Sequence, residues 1–374
     1  MSTGNITRRG KHSWRLKFDI GRNPATGERQ TRLVTVRGTK KQAQEELAKL
    51  IASTATGQYV DASKATVAQF AERWLRDWAA RNTSNKTYTR YEQLLRKHVC
   101  ARIGTVPVQK LRAADLQGIY TAMDGLADRT RLHVHRVVHR MLRHAAQWGV
   151  VHQNVAALVD APTVRGQEID VLTAQQMQAV LETLRGRSLY PIAAVALGTG
   201  MRRGELLALR WQDVDLNGAK LRVERTLEQT TRGGLVFKEP KTRHGRRTIT
   251  LPSSTVADLR THWKAQQERR MALGMGKAPE SSLVFAAWDG STRSPNGLTK
   301  EWSLAMTKAG LRVTLHSLRH THASTLIASG LDVLTISRRL GHGSPAITLS
   351  VYGHLFKTDG GAADAMERAL RGAE

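Results

Sequence analysis

Between Ser13 and Arg37 the chain alternates apolar and polar residues. Trp14, Leu16, Phe18 and Ile20 take every second position, and Val34 and Val36 do so again beyond the turn Asn23-Pro24-Ala25-Thr26-Gly27. A period of two buries one face of a strand, so the spacing predicts two half-buried strands joined by a turn. The period then lengthens to that of a helix. Thr39 with Gln42 makes a capping box, and Ala43, Leu47, Leu50 and Ile51 line one side of the segment behind it. Residues 1–58 are therefore expected to form a small sheet plus one helix.

Residues 64–160 read as wholly helical. Val67, Phe70, Trp74, Leu75 and Trp78 form one stripe, and Tyr88, Tyr91, Leu94, Leu95 and Val99 a second. A third helix follows Ala113-Ala114-Asp115. On the fourth, Val134, Val137, Val138, Met141, Leu142 and Ala145 share a face, and His135, Arg136, His139, Arg140 and Arg143 are assigned to the opposite one. Ala161 to Gly166 reads as a linker. Thr173 and Gln176 then cap a further helix, and a mostly apolar helical region runs from Ile192 to Trp211 with a polar insert at Arg202, Arg203 and Glu205. Strand-like runs at Lys220–Leu227, Leu235–Lys238 and Arg247–Leu251 precede helices that continue to the end. The expected fold class is multidomain α+β. It comprises an N-terminal sheet-plus-helix unit (1–58), an all-α unit (64–160) and a mainly α unit with a small antiparallel sheet (171–374).

Charge narrows the partners. Lys and Arg number 58 against 31 Asp and Glu, a formal net charge of +27. A field of that sign and size points to a polyanion: DNA, RNA or an anionic membrane. Arg outnumbers Lys by 41 to 17. A planar guanidinium bonds phosphate through two nitrogens, which favours a phosphate backbone over a lipid surface. A GC-rich genome accounts for the ratio equally well, though not for the net charge. The N-terminal 60 residues alone carry twelve basic against four acidic side chains, and no acidic residue lies between Arg129 and Val159. A DNA-facing role for Arg136, His139, Arg140 and Arg143 suits this stripe; a solvated basic face is the plain alternative. Cys100 is the single cysteine, so an intramolecular disulfide and a cysteine-based zinc cluster are excluded. No apolar run is long enough to span a bilayer and the first ten residues lack a signal-peptide core, so a soluble cytoplasmic protein is expected, with no membrane partner.

Three segments in the last unit carry chemistry. The first is Thr199-Gly200-Met201-Arg202-Arg203-Gly204-Glu205-Leu206. The second is Leu315-His316-Ser317-Leu318-Arg319-His320-Thr321-His322. The third is Leu340-Gly341-His342, ten residues ahead of Tyr352. Among their side chains are two arginines, two histidines and a tyrosine suited to one site, without an acidic pair to hold Mg²⁺. Two guanidiniums can grip the non-bridging oxygens of one phosphate and stabilise charge developing on it. Histidines move protons near neutral pH. A tyrosine hydroxyl becomes a nucleophile once its proton is removed, and its phosphodiester stores the bond energy for rejoining. Bland readings stand beside these. Arg202 and Glu205 make an i, i+3 ion pair, His316 with His320 and His135 with His139 have metal-pair spacing, and Tyr352 suits a core.

The three segments resemble the motif boxes of the tyrosine recombinases, the phage-integrase family. Arg202 matches that family's first arginine, Glu205 its acidic residue one turn on, His316 and Arg319 its His-x-x-Arg pair, His342 its second histidine and Tyr352 its nucleophile. Lys241, in Glu239-Pro240-Lys241-Thr242, sits where the family places a lysine on a turn between strands. The resemblance implies attack of the tyrosine on a scissile phosphate, leaving a 3′-phosphotyrosine and a free 5′ hydroxyl, without metal or nucleotide cofactor. Lys241 would protonate the leaving oxygen, His316 would assist the tyrosine as base and Glu205 would orient its neighbours. Lys241 shares its basic turn with Arg243 and Arg246, which are expected to touch DNA. The helical unit would bind a core site and the N-terminal unit a separate arm site. The apolar face of Ala362, Met366, Ala369 and Leu370 would dock on a neighbouring subunit, giving a tetramer on duplex DNA attachment sites. A host bending protein and a directionality factor would be further partners, in the nucleoid of a bacterial cell. The extra N-terminal unit favours a phage or mobile-element integrase over a chromosome-dimer resolvase. A catalytically dead DNA-binding protein and a type IB topoisomerase are the rival readings; neither a lost tyrosine nor a lost arginine supports the first.

Overall fold

The computed structural model describes residues 4–371 except 24, 57–58, 165–169, 231–232, 241–242 and 357–361, and not the side chains of 243, 362 and 365. The chain divides into two compact units, Met1–Gly166 and Gln167–Glu374.

The first unit opens with an antiparallel sheet of three strands in sequence order, β1 (Gly4–Gly10), β2 (Ser13–Arg22) and β3 (Arg29–Arg37), followed by helix α1 (Lys40–Ala55). The expected alternation is present. Leu16 and Phe18 are buried with Ala43 and Leu47 of α1, and Trp14, Ile20, Val34 and Val36 pack around them. The Thr39–Gln42 capping box starts α1. β1 has no counterpart in the sequence pattern, because Ile6 is its one apolar residue against this core. The opposite face of the sheet is open: Thr7 pairs with Arg15 and Arg15 with Thr35, while Lys17 lies between Asn5 and Leu33.

A second, separate core occupies the helical remainder of this unit. Helix Val67–Trp74 runs into a π-helical turn, Leu75–Ala79, and helix Asn85–Leu94 into another, Leu95–Cys100. Helix Ala113–Thr121 and the long helix Asp128–Gln147 complete the bundle. Val134, Val137, Val138, Met141, Leu142 and Ala145 are buried as the wheel requires. His135 corrects that wheel. It is buried, and its Nδ1 bonds the Tyr120 hydroxyl at 3.0 Å. The reason is angular: Leu142 lies seven residues on, about 20° away round the helix, so the two share an azimuth. His144 is also buried, where its Nδ1 accepts the indole N–H of Trp74 at 2.7 Å.

The second unit is built on one large core, with a smaller one of Ala323, Ile327, Ile336, Leu340 and Tyr352. Gly200 breaks the apolar region expected at 192–211 into helices Tyr190–Thr199 and Arg203–Leu207. The strand-like run Lys220–Leu227 is likewise two strands in different sheets. Lys220–Val223 pairs with Val214–Asp215 and Arg247–Thr250, whereas Thr226–Thr230 forms a hairpin with Gly234–Lys238. Helices Ser253–Ala272 and Pro295–Lys308 lead to Leu315–Ala328, Val333–Leu340 and Pro345–Tyr352. Helix Leu315–Ala328 packs along Tyr190–Thr199 and against Val333–Leu340, which in turn packs on Pro345–Tyr352. A last helix, Ala362–Arg371, leaves Met366 and Leu370 exposed. No helix among the described residues is long and apolar enough to cross a membrane.

Candidate active site

Glu205 organises the site. It sits on the first turn of helix Arg203–Leu207, only 4% exposed, and its Oε2 accepts the backbone N–H of Arg202, the N-cap, at 3.0 Å. Its Oε1 takes the Arg202 guanidinium at 2.8 Å, and Arg247 bonds Oε2 at 2.9 Å and Oε1 at 3.3 Å. Burial alone would raise the Glu205 carboxyl, but Arg247 and then Arg202 outweigh it and hold the group below its ordinary range.

Arg319 lies one turn into helix Leu315–Ala328 and is 3% exposed. It donates to the carbonyls of Gly200 at 2.6 Å and Leu340 at 2.9 Å, and to His342 Nε2 at 2.9 Å. Burial and then the charge of Arg202 pull its guanidinium down to about 9, which still leaves a cation at neutral pH. Arg202 in turn donates to the carbonyl of Gly341 at 3.1 Å. Both carbonyl-bearing glycines cap helices in the left-handed region, at φ of 66°. A side chain at Gly200 would meet His322 at 2.6 Å, and one at Gly341 would meet the Arg247 guanidinium at 2.6 Å. The caps therefore end two helices and hold two arginines at once.

His342 follows directly on Gly341. Because Nε2 accepts from Arg319, its proton resides on Nδ1 and points to Thr348 Oγ1, 2.8 Å away. Burial, Arg319 and Arg202 bring this imidazole down to about 4, so it is neutral. Tyr352 closes helix Pro345–Tyr352 and is 1% exposed. Burial raises its hydroxyl, and the charge of Arg319 opposes that rise. The tyrosine oxygen lies 2.8 Å from Nδ1 of His320, not against His316. His316 stands at the exposed edge of the same helix, its ring meeting that of His320 at 4.5 Å between centroids.

Structure thus brings Arg202, Glu205, Arg319, His342 and Tyr352 together from four separate segments. Lys241 and the side chain of Arg243 lie outside the described residues. Arg246 is exposed and paired with Glu239 at 2.6 Å. Arg247 and His320 were not among the expected site residues. A signal for Arg247 existed: it shares an inward strand face with Ile249 by the period of two. Two guanidiniums flank one carboxylate and Arg319 stands near enough to feel all three charges, so the cluster keeps a positive excess suited to an anion. Among the described residues no group of three or more His, Cys, Asp or Glu is placed to hold a metal ion.

Comparison with known proteins follows the same division. Residues 170–359 match the model of the phage integrase family, and residues 66–123 match the phage integrase N-terminal SAM-like domain. A "Tyrosine recombinase XerC-like" protein of Caldanaerobacter subterraneus subsp. tengcongensis is 26% identical over 371 residues, covering 94% of both chains. An integrase of Streptomyces ambofaciens is 29% identical over 360 residues, covering 91% of this chain and 89% of its own. In fold, the chain is similar to the Tn1549 transposon integrase solved with a circular intermediate DNA. The TM-score is 0.70 at 21% identity, over 81% of this chain and 99% of that one. With the family's catalytic-domain model spanning the segment that holds every residue of the cluster, this chain belongs to the phage integrase family, the tyrosine recombinases that break and rejoin DNA at specific sites.

Proposed function

We propose that Tyr352 is the nucleophile of this recombinase and that Arg202 and Arg319 clamp the scissile phosphate. The observation that carries the reading is the convergence of two fixed guanidiniums, one neutral imidazole and one buried tyrosine on a site with a positive excess. Arg319 is close enough to Tyr352 for its charge to act on the phenol. The attack would leave the phosphate on Tyr352 at the 3′ end and free a 5′ hydroxyl, which reverses the step on the same strand or a partner's. His342, accepting at Nε2 from Arg319, would hold that guanidinium in place, Lys241 would protonate the leaving oxygen, and Glu205 would fix Arg202. No metal or nucleotide enters this scheme, and Glu205, the carboxylate beside the arginines, is already bound to two of them.

Duplex DNA is the proposed partner of the first unit as well. Arg136, Arg140 and Arg143 are exposed in one row of helix Asp128–Gln147, with His139 half-buried beside them. Arg140 is braced by the Tyr91 hydroxyl at 2.7 Å and stands over the Trp78 ring. The open sheet face of Thr7, Arg15, Lys17 and Thr35, with a core of its own, supports an arm-site role for the N-terminal part. The exposed apolar side of helix Ala362–Arg371 supports subunit docking in a tetramer. The job is integration or excision of a phage or mobile element at attachment sites, in the nucleoid of a bacterial cytoplasm and with a host bending protein and a directionality factor.

Tyr352→Phe tests the core of this reading. It removes one hydroxyl and is expected to keep DNA affinity while abolishing covalent trapping on a nicked suicide substrate. A 3′-phosphotyrosyl adduct formed by the variant would place the nucleophile elsewhere.

A further inference from the structure

The geometry points to His320, rather than His316, as the group that takes the proton from Tyr352. This inference rests on the reading of Tyr352 as nucleophile. His320 Nδ1 lies 2.8 Å from the tyrosine oxygen, and the two rings meet edge to face with centroids 5.6 Å apart. His342 is engaged through both nitrogens, by Arg319 and by Thr348. His316 touches His320 rather than the tyrosine.

The direction of the bond follows from burial. Tyr352 is 1% exposed, and among the described residues its hydroxyl has no other hydrogen-bond partner. If Nδ1 carried a proton and donated, the buried phenolic O–H would be left without an acceptor. The satisfied arrangement has the phenol donating to an unprotonated Nδ1. His320 is neutral at physiological pH, since burial, then His316 and Arg319, lower it to about 4, with Asp170 pulling the other way. Those groups and Tyr352 face it from three elements: its own helix, the segment before helix Ala174–Leu184, and helix Pro345–Tyr352. A phosphate held by Arg202 and Arg319 adds negative charge beside them, so the base strengthens once substrate is in place.

The Tyr352 oxygen bonds to phosphorus, its proton passes to His320 Nδ1, and the P–O5′ bond breaks. The departing 5′ oxygen takes its proton from a separate acid, the role proposed for Lys241. On religation the 5′ hydroxyl returns its proton to that acid, and His320 returns the other to the leaving phenol.

His320→Asn keeps an acceptor near the position of Nδ1 without its basicity, and His320→Ala removes both. Single-turnover cleavage is measured against pH on an ordinary suicide substrate and on one with a bridging 5′ sulfur, whose leaving group needs no acid. Both variants are expected to bind DNA as the native protein does and to cleave about a hundredfold slower or worse. The defect persists on the sulfur substrate. The native rate is flat across neutral pH, whereas theirs climbs about tenfold per pH unit as the unassisted phenol ionises. Cleavage within a few-fold of native with an unchanged profile overturns the proposal, as does full rescue by sulfur. If His320→Ala does not fold, His320→Asn decides by the same criteria. Tyr352→Phe is run in parallel: an adduct there overturns the nucleophile itself, whereas its absence beside fast His320 variants overturns only the role of His320.

Discussion

Glu205 balances two guanidiniums with one buried carboxylate, and removing that charge leaves Arg202 and Arg247 without an ion-pair partner among the described residues. Breaking a buried pair on one side costs about 3–5 kcal/mol, so Glu205→Gln is expected to lower the melting temperature and the cleavage rate together. Its pH signature has a definite sign. The folded-state carboxyl lies below its unfolded value, so its stabilisation is complete above about pH 4.3 and fades as pH falls through the folded value. Melting temperature measured from pH 7 down to 3 is expected to drop less steeply in Glu205→Gln than in the native chain; parallel curves would mean that the carboxylate contributes nothing. Arg319 differs in kind, because its planar fork reaches two carbonyls and His342 at once. An ammonium lacks that geometry. Arg319→Lys is expected to bind DNA nearly normally yet cleave about a hundredfold slower or worse, a native single-turnover rate being the result that would show charge alone to suffice.

Helix ends decide where the proposed catalytic groups stand. Gly341 closes helix Val333–Leu340 in the left-handed region, hands its carbonyl to Arg202 and sets His342 on the next residue. Gly341→Ala strains the backbone by about 1–2 kcal/mol and drives a methyl into Arg247, so cleavage is expected to fall further than the melting temperature alone accounts for. Equal losses in Gly341→Ala and in a surface variant of matched stability would remove the positioning role. On helix Asp128–Gln147 the spacing of Arg136, Arg140 and Arg143 keeps all three on one exposed row. Alanine at Arg136 or Arg143 is expected to weaken core-site binding and reduce the slope of log affinity against log salt by about one each. Binding titrations at several salt concentrations check this, and an unchanged slope would turn the row into a solvated face.

At the scale of the molecule, a net charge of +27 is spread over two units, and the first holds two separate hydrophobic cores. Tyr59 belongs with the sheet, packing edge-on against Phe18, while Asp61 ties back to Arg32 at 2.8 Å. A chain beginning at Ser63 therefore keeps the helical core and the Tyr352 cluster whole. It is expected to cleave an isolated core site at near-native rate and to fail in recombination between extended sites. Near-native recombination by the truncated chain would dismiss arm-site binding by the sheet. Recombination by the full chain is expected to persist in excess EDTA; its loss, with rescue by Zn²⁺ or Mg²⁺, would contradict metal-free chemistry.

The sequence by itself determined what is local. Period-two and helical stripes placed β2, β3 and α1, the capping boxes at Thr39 and Thr173 set helix starts, and Arg202–Glu205 and His316–Arg319 at i, i+3 fall on single helical turns. Motif order was enough to name Arg202, Glu205, Arg319, His342 and Tyr352, which the fold gathers. The tertiary structure alone decided which partners those residues take, because that depends on how helices are rotated against each other. Tyr352 meets His320 across 32 positions, and Arg247 meets Glu205 across 42. A single residue of helical rotation moves a side chain by about 100°, so His316 and His320, one turn apart, exchange exposure for contact through small differences in packing. The split of 220–227 between two sheets and the burial of His135 have the same cause. Each is set by the surface a segment is pressed against, and that surface lies elsewhere in the chain.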